Sequence, residues 1–152
     1  MLFSESRNRK VVSSSDAATV GKVARFVVDP VLRQVVALEL KKTQDGDLLR
    51  WSDITAFGTD AVTVAGADAI GSATPEVREL AAKHRRILGK RLLTSAGDEL
   101  GEVADVAFDP ETGALSSLVP DRGEEVSASR LLGVGSYAVV VRLADEPPTS
   151  PA

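Results

Sequence analysis

Several residue types are scarce in this chain of 152 residues, which has no cysteine, one histidine and only 4% aromatic residues. The absence of cysteine rules out disulfides, so apolar packing must hold the fold together. Nucleophilic catalysis requires a nucleophile, a base and an orienting group. The single histidine, His84, lies in a charged stretch, and the sequence has no Gly-x-Ser-x-Gly motif. We therefore predict that the protein is not an enzyme.

Phosphate-binding glycine patterns and long apolar runs are also missing. The sequence contains no GxGxxG motif, and we predict that the protein binds no cofactor. No segment approaches the roughly 18 apolar residues of a membrane-spanning helix, and residues 1–10 lack the apolar run of a signal peptide. The sequence predicts a cytoplasmic protein, either free or held at the periphery of a membrane.

Positive charge is not in excess. The formal net charge is −4, because residues 1–70 carry nine basic and nine acidic side chains while residues 71–152 carry nine and thirteen. Proteins that bind nucleic acid through its phosphates usually present a basic surface, and base stacking needs aromatic side chains. Both features argue against nucleic acid as the partner.

What the chain does contain is an internal repeat. The segment Thr19–Pro30 recurs as Glu99–Pro110, an offset of 80 residues, and past the third predicted strand the offset falls to 77. At the offset of 80, the residues that recur are Lys10, Ser15, Gly21, Val23, Ala24, Asp29, Pro30 and Leu38, as Lys90, Ser95, Gly101, Val103, Ala104, Asp109, Pro110 and Leu118. The change of offset predicts a shorter hairpin after the third strand of the second copy.

Each copy has the pattern of an all-β fold. Short runs of Val, Ile, Leu and Thr alternate with turn residues every 8 to 12 positions or so, which is typical of a small barrel or sandwich. Strands are predicted near 10–13, 20–29, 34–42, 47–51 and 61–65, and again near 90–94, 99–109, 114–119, 124–127 and 137–143. In the third strand, alternation places Val36, Leu38 and Leu40 on the interior face. Residues 1–8 show no periodicity and are expected to be a frayed arm.

One helix is predicted between the copies. Thr74 is a suitable N-cap, Pro75 favours the first helical position and Glu76 the first turn, so a short helix should run to about Lys83. The small residues of 66–73 suggest a boundary before it.

These residues resemble the PRC-barrel domain. The matching positions in the first copy are Gly21, Val23, Asp29, Val35 to Leu40 and the corner Trp51-Ser52-Asp53-Ile54. In the second copy they are Gly97, Gly101, Val103, Asp109, Gly113 and Ser129 to Leu131. The resemblance implies two small PRC-like β-barrels in tandem, joined by a short linker helix. It implies barrels at 9–66 and 88–144, a linker at 67–87 and a disordered tail at 145–152.

Two acidic features could suggest catalysis or metal binding. Asp29 and Asp109 precede prolines, where an aspartate commonly accepts hydrogen bonds from its own turn, and we predict that role for both. Asp45-Gly46-Asp47 resembles part of a calcium loop but lacks the further carboxylates that such a loop needs. We predict no metal site.

Basic residues cluster where each copy begins. The predicted interaction patch consists of Arg9, Lys10, Lys83, Arg85, Arg86, Lys90 and Arg91. The alternative is that these basic residues interact with the free carbonyl groups and the dipole at the C-terminal end of the helix, or that they face solvent. If the patch binds, its ligand would be an acidic protein, anionic lipid or RNA.

Family resemblance implies a non-catalytic interaction module, an adaptor or scaffold that binds an unidentified protein as a monomer or homodimer. One alternative is an accessory subunit of a membrane complex, since a PRC-barrel occurs in the H subunit of photosynthetic reaction centres. A weaker alternative is a ribosome or RNA-processing factor, since another occurs in a bacterial ribosome maturation factor. A barrel of about 55 residues buries only roughly 60% of its unfolded surface, so we also expect the two copies to pack as a pair with approximate two-fold symmetry.

Overall fold

The computed structural model describes residues 1–43, 47–71, 74–82 and 86–143. Helix α1 is Phe3–Ser6, and a first unit follows with strands β1 Lys10–Ser13, β2 Thr19–Asp29, β3 Gln34–Lys41, β4 Leu48–Arg50, β5 Ile54–Phe57 and β6 Ala61–Val64. Helix α2, Pro75–Ala81, leads to a second unit with strands β7 Arg91–Thr94, β8 Glu99–Phe108, β9 Leu115–Pro120, β10 Val126–Ser127, β11 Leu131–Val134 and β12 Ala138–Val141. The prediction of an all-β fold of two barrel-like units with a helix between them is confirmed.

The two units share one topology. The strand order is β4-β3-β2-β1-β6-β5 in the first sheet and β10-β9-β8-β7-β12-β11 in the second. In each unit the first and last strands pair in parallel, as Val11 with Val62 and Leu92 with Val139. A single turn of 3-10 helix, Trp51–Asp53 or Ala128–Arg130, forms the corner predicted before the last part of each unit. The strands β5 and β11, which directly follow these corners, were not predicted.

Strand register corrects the sequence alignment at the start of each copy. Val11 pairs with Gly21 and Leu92 pairs with Gly101, so the offset is 81 in the first strand and 80 only from the second strand onward. Lys10 is therefore equivalent to Arg91 rather than to Lys90. The reason is that the first hairpin is one residue shorter in the second unit, a change too small to detect where few residues are identical.

A bulge in β3 corrects the predicted interior face. Val27 pairs with Ala37 and Val28 with Val35, so Val36 is an extra residue with no partner of its own. An extra residue reverses the alternation of side chains along a strand. Leu38 and Leu40 lie in the main core as predicted, but Val36 packs on the opposite face of the sheet.

Residues 1–8 are packed, and the expectation of a frayed arm is wrong. Phe3 is 2% exposed and Ser6 is fully buried. The backbone N–H of Phe108 donates to the carbonyl of Met1 at 2.8 Å, and Leu2 forms a β-bridge with Ala107. A single buried aromatic within a polar run lacks the periodicity by which an ordered element is recognised.

The two units meet through a symmetric junction at the starts of β3 and β9. Gln34 and Ala114, equivalent residues, form an antiparallel bridge. On either side the N–H of Val35 donates to Gly113 at 2.8 Å, and the N–H of Leu115 donates to Arg33 at 2.9 Å. Val35 is equivalent to Leu115 and Arg33 to Gly113, so each of these two bonds is the symmetry counterpart of the other. The predicted pairing with approximate two-fold symmetry is confirmed at this junction.

An aromatic cluster fills the space between the units. It contains all four phenylalanines and the one tryptophan, and its members are Phe3, Phe26, Trp51, Phe57 and Phe108. Phe3 stacks on Phe26 with ring centroids 4.1 Å apart, while Phe108 of the second unit meets the Phe26, Phe57 and Trp51 rings of the first. The core is therefore continuous across both units.

Helix α2 covers one unit only. Thr74 caps it, as predicted, by accepting the N–H of Val77 at 3.4 Å. Val77 and Leu80 pack on the outer face of the first sheet over Val27 and Ala37. At the equivalent face of the second sheet the hydroxyl of Ser117 donates to Glu125 at 3.0 Å. The second face is polar and needs no cover.

Two turns of the first unit hold non-glycine residues with positive φ. Ala17 has φ 59° and Arg33 has φ 54°, whereas the equivalent residues of the second unit are Gly97 and Gly113. The left-handed region disfavours residues with a Cβ atom. Positive φ is thus kept at the equivalent point of both turns, although the turn at Ala17 is one residue longer than its counterpart at Gly97.

We predict that Ala17→Gly stabilises the protein by about 0.5 to 1 kcal/mol, because glycine adopts positive φ without a steric cost. The neighbouring Ala18, which lacks positive φ, provides the matched control. Ala18→Gly should lower the free energy of unfolding by a similar amount, since it only adds backbone freedom. Urea denaturation measures both, and equal effects of the same sign would contradict the strain at Ala17.

Gly113→Ala should destabilise the protein by about 3 kcal/mol, since it adds overpacking to backbone strain. A Cβ atom at Gly113 would lie 2.9 Å from Cε2 of Trp51 and 3.0 Å from the carbonyl oxygen of Val35. Gly97→Ala is the control, because Gly97 also has positive φ but no atom within 4 Å of an added Cβ. Its cost should be only about 1 to 2 kcal/mol. Equal losses in the two variants would show that the Trp51 contact is unimportant.

We further predict that the units unfold together. Residues 1–70 and 86–145, expressed separately, should each unfold at a lower urea concentration than the whole chain, because each fragment exposes part of the aromatic cluster. In the whole chain, Trp51 fluorescence and far-ultraviolet circular dichroism should give coincident transitions. Fragments as stable as the whole chain would mean that the units are independent.

Candidate functional site: a basic groove beside strand β2

A groove of about 540 Å³ lies along one side of β2. We call it the β2 groove. Its floor is apolar and consists of Phe3, Phe26, Val28, Ile87 and Leu88. Four basic residues line it as well, namely Arg7, Arg25, Lys41 and Arg86, and no acidic residue of the described chain does so. The groove thus combines apolar and basic side chains on one concave surface, as ligand-binding sites commonly do.

Strand lengths create the groove. Strand β1 pairs with β2 only from Thr19 to Lys22, yet β2 continues to Asp29 because β3 supports its other side. Asn8 extends the pairing by one step, since its N–H donates to the carbonyl of Val23 at 2.8 Å. Beyond that point the groove runs beside β2, with Arg86 to Leu88 on its far side.

The equivalent side of β8 in the second unit is occupied. Residues 1–6 lie there, joined to Phe108 by the backbone bonds of Met1. The N–H and the hydroxyl of Ser4 both donate to the carboxylate of Asp105. The fold therefore holds part of its own chain at this position, with Leu2 bridged to Ala107 and Phe3–Ser6 forming helix α1. The chain segment equivalent to residues 1–6 by sequence is 82–87, of which 83–85 lie outside the described residues.

Within the described residues, the charged side chains of the β2 groove make these contacts. Arg25 forms an ion pair with Glu39 at 3.7 Å, and Lys41 donates to the side chain of Asn8. The Nε atom of Arg86 is buried and has no hydrogen-bond partner within the described part of the chain. Desolvation, together with the repulsion of Arg86, lowers the pKa of Lys90.

The structure places the predicted basic patch in several different environments. Arg9 is used internally, since its guanidinium donates to the carbonyl of Gly58 at 2.8 Å and lies over the ring of Phe57. Lys10 is exposed on β1. Arg91 pairs with Glu99 at 3.3 Å and lies over the exposed Tyr137 ring.

Among the patch residues that the structure describes, Arg86 lines the β2 groove, and Lys90 lies close enough to repel it. Lys83, His84 and Arg85 fall outside the described residues. Binding by the seven residues as one patch stays a prediction.

Three groove residues were not predicted. Arg7 belongs to the segment expected to fray, and Arg25 and Lys41 lie on adjacent strands whose pairing depends on a bulge between Val23 and Arg25. The sequence does contain one signal for these residues. At the offset of 80, Arg25 and Lys41 align with Asp105 and Asp121, so the two copies differ in charge at these positions.

The acidic residues considered for catalysis have structural roles. Asp29 accepts the N–H of Val31 at 2.9 Å and Asp109 accepts that of Glu111 at 2.8 Å, which confirms the predicted turn function. Of Asp45-Gly46-Asp47, only Asp47 is described. No group of three His, Asp, Glu or Cys residues could hold a metal ion in residues 1–43, 47–71, 74–82 and 86–143. The helices in those ranges are too short or too polar to span a membrane.

Comparison with known families adds to the description of the two small barrel-like units. Residues 81–142 match the PRC-barrel domain. The match covers the second unit, for which the resemblance seen in the sequence is confirmed. The first unit has the same strand order and equivalent register, but the family match does not extend to it. A search of curated proteins found none that matches the chain.

Proposed function

We propose that the protein is a non-catalytic interaction module, an adaptor or scaffold built from two PRC-barrels. The observation that carries this proposal is the β2 groove, a concave surface beside strand β2. The equivalent strand of the second unit, β8, has residues 1–6 of the chain at the corresponding side. Addition of an extended segment along a strand is a common mode of peptide recognition. The shared strand order of the two sheets supports treating the first unit as a second PRC-barrel.

A second surface supports the same function. The hairpin between β2 and β3 displays Val31, which is 78% exposed, and Leu32, which is 63% exposed. The equivalent residues of the second unit are Glu111 and Thr112. Apolar side chains at the tip of only one of two duplicated hairpins are consistent with a partner that contacts the first unit.

The proposal is tested by filling the β2 groove without changing its charge. Ala24 lines the groove, so Ala24→Trp should block it, while Ala104→Trp alters the equivalent exposed position of the second unit. After chemical crosslinking in the source cells, a partner recovered with the wild type and with Ala104→Trp should be lost with Ala24→Trp. Thermal denaturation checks that both variants are folded.

Two results would contradict the proposal. One is a wild-type protein that crosslinks to nothing under conditions in which a known complex of the same cells is recovered. The other is a set of partners that Ala24→Trp leaves unchanged. The membrane-subunit and ribosome-factor hypotheses stay predictions, since no contact in the structure favours either of them.

A further inference from the structure

We propose that the turn between β2 and β3, residues 30–33, inserts into the surface of an anionic lipid bilayer. We call this segment the β2–β3 turn. Its exposure supports binding by the first unit in general, and its surroundings specify lipid as the partner at this surface. Direct contact with lipid needs neither the β2 groove nor membership of a membrane complex, so it goes beyond the proposed function.

The β2–β3 turn displays adjacent apolar side chains to solvent. Val31 and Leu32 are largely exposed, and Leu132 of the second unit is 39% exposed. The guanidinium of Arg33 donates to the carbonyl of Leu131, so Leu32 and Leu132 each adjoin one end of this contact. All of these residues lie within the described ranges. Single exposed apolar residues are common, but neighbouring ones that come from two units are a sign of a contact surface.

The equivalent end of the molecule is polar. The residues that correspond to the three exposed apolar ones, Val31, Leu32 and Leu132, are Glu111, Thr112 and Thr55. Both turns close in the same way, because Asp29 accepts the N–H of Val31 and Asp109 accepts that of Glu111. The backbone of the turn therefore accommodates polar residues, and its geometry does not require the apolar pair.

Arg33 fixes the turn against the second unit despite an unfavourable backbone conformation. Its φ is 54°, in a region that favours glycine, and the second unit has Gly113 at this position. The Nε and Nη2 atoms of Arg33 lie 3.2 and 3.1 Å from the carbonyl oxygen of Leu131. Strained residues persist where surrounding contacts hold them, and they are concentrated at functional sites. The turn is thereby held in one position with Val31 and Leu32 in solvent.

Positive charge adjoins the exposed side chains. Arg33 and Arg130 donate to backbone carbonyls, and among the described residues neither arginine forms an ion pair. The carboxylate of Asp29 is already bonded to N–H groups of the turn. At the polar end of the molecule the counterparts of the two arginines are Gly113 and Asp53. Guanidinium groups beside the turn would meet anionic headgroups while the apolar side chains enter the acyl region.

A lipid surface suits this turn better than a protein surface does. A stable protein interface buries about 800 Å² on each partner, far more than three exposed side chains provide. Insertion into a bilayer has no such threshold, because each apolar side chain and each arginine adds to the attraction for an anionic surface. The net charge of −4 confines this attraction to one end of the molecule and keeps the attachment reversible.

A fluorescent label tests insertion directly. The chain has no cysteine, so Leu32→Cys creates a single labelling site on the turn, and Thr112→Cys creates the matched site on the second unit. With vesicles of equal parts phosphatidylglycerol and phosphatidylcholine, a polarity-sensitive fluorophore at position 32 should shift its emission to shorter wavelength, because it enters an apolar region. The same label at position 112 should show no shift, and vesicles of phosphatidylcholine alone should give a smaller shift at position 32.

Vesicle sedimentation of the unlabelled protein measures the contribution of each part. The double variant Val31→Glu/Leu32→Thr, which carries the residues of the second unit, should lower the affinity for anionic vesicles by about tenfold or more, because it removes the apolar side chains that insert. Arg33→Gly should lower it by about fivefold at low salt and by less at high salt. The control is Tyr137→Thr, which removes another exposed side chain from the second unit and should bind as the wild type does. Thermal denaturation checks that each variant is folded.

Three kinds of result would overturn the proposal. Absence of wild-type binding to anionic vesicles at low salt would exclude the lipid contact, and equal binding by Val31→Glu/Leu32→Thr would place it elsewhere. A dimer in sedimentation that the double variant dissociates, or a crosslinked partner that the double variant loses while vesicles bind neither protein, would make the occupant a protein. Ala24→Trp should leave vesicle binding unchanged, so the lipid contact and the β2 groove are tested separately.

Discussion

The structure depends on the junction at which the starts of β3 and β9 pair. The bridge between Gln34 and Ala114, with a backbone hydrogen bond on either side, fixes the units in a symmetric arrangement. This arrangement brings Phe108 against the aromatic side chains of the first unit and gives residues 1–6 a strand on which to lie. Each unit alone would leave part of this apolar surface in water, which is costly for barrels of this size.

Duplication produced two equivalent backbones that then diverged in their side chains. Gly113 leaves room for Trp51 of the other unit. The residues equivalent to Gly113 and Trp51 are Arg33 and Ala128. Arg33 instead donates to the carbonyl of Leu131 at 3.1 Å. Ala37 and Leu48, which lie under α2, correspond to Ser117 and Glu125 in the second sheet, and Arg25 and Lys41 of the first unit correspond to Asp105 and Asp121. The symmetric framework thus carries asymmetric surfaces, and the β2 groove is one that we propose to be functional.

Local patterns predicted much of the fold. The turns at Asp29 and Asp109, the N-cap at Thr74, the repeat and most strands follow from residue types and spacing, because each reflects interactions between residues that are near in sequence. The errors have different origins. The packing of Phe3 depends on Phe26 and Phe108, which are distant in sequence. The strands β5 and β11 and the bulge at Val36 belong to local hairpins, but they are short or irregular and leave no clear alternation in the sequence.

For the candidate site, the sequence by itself determined that two barrel-like copies exist, that they carry no cysteine, and that basic residues precede each of them. It could not show which basic residues share a surface, since Arg7, Arg25, Lys41 and Arg86 come from segments far apart in the chain. Only the tertiary structure decided that Arg9 supports the core while Arg86 lines the groove. The physical reason is that the contacts of Arg9 with Gly58 and of Arg86 with the groove join segments that are far apart in the chain, and local sequence patterns report only on residues that are near in sequence.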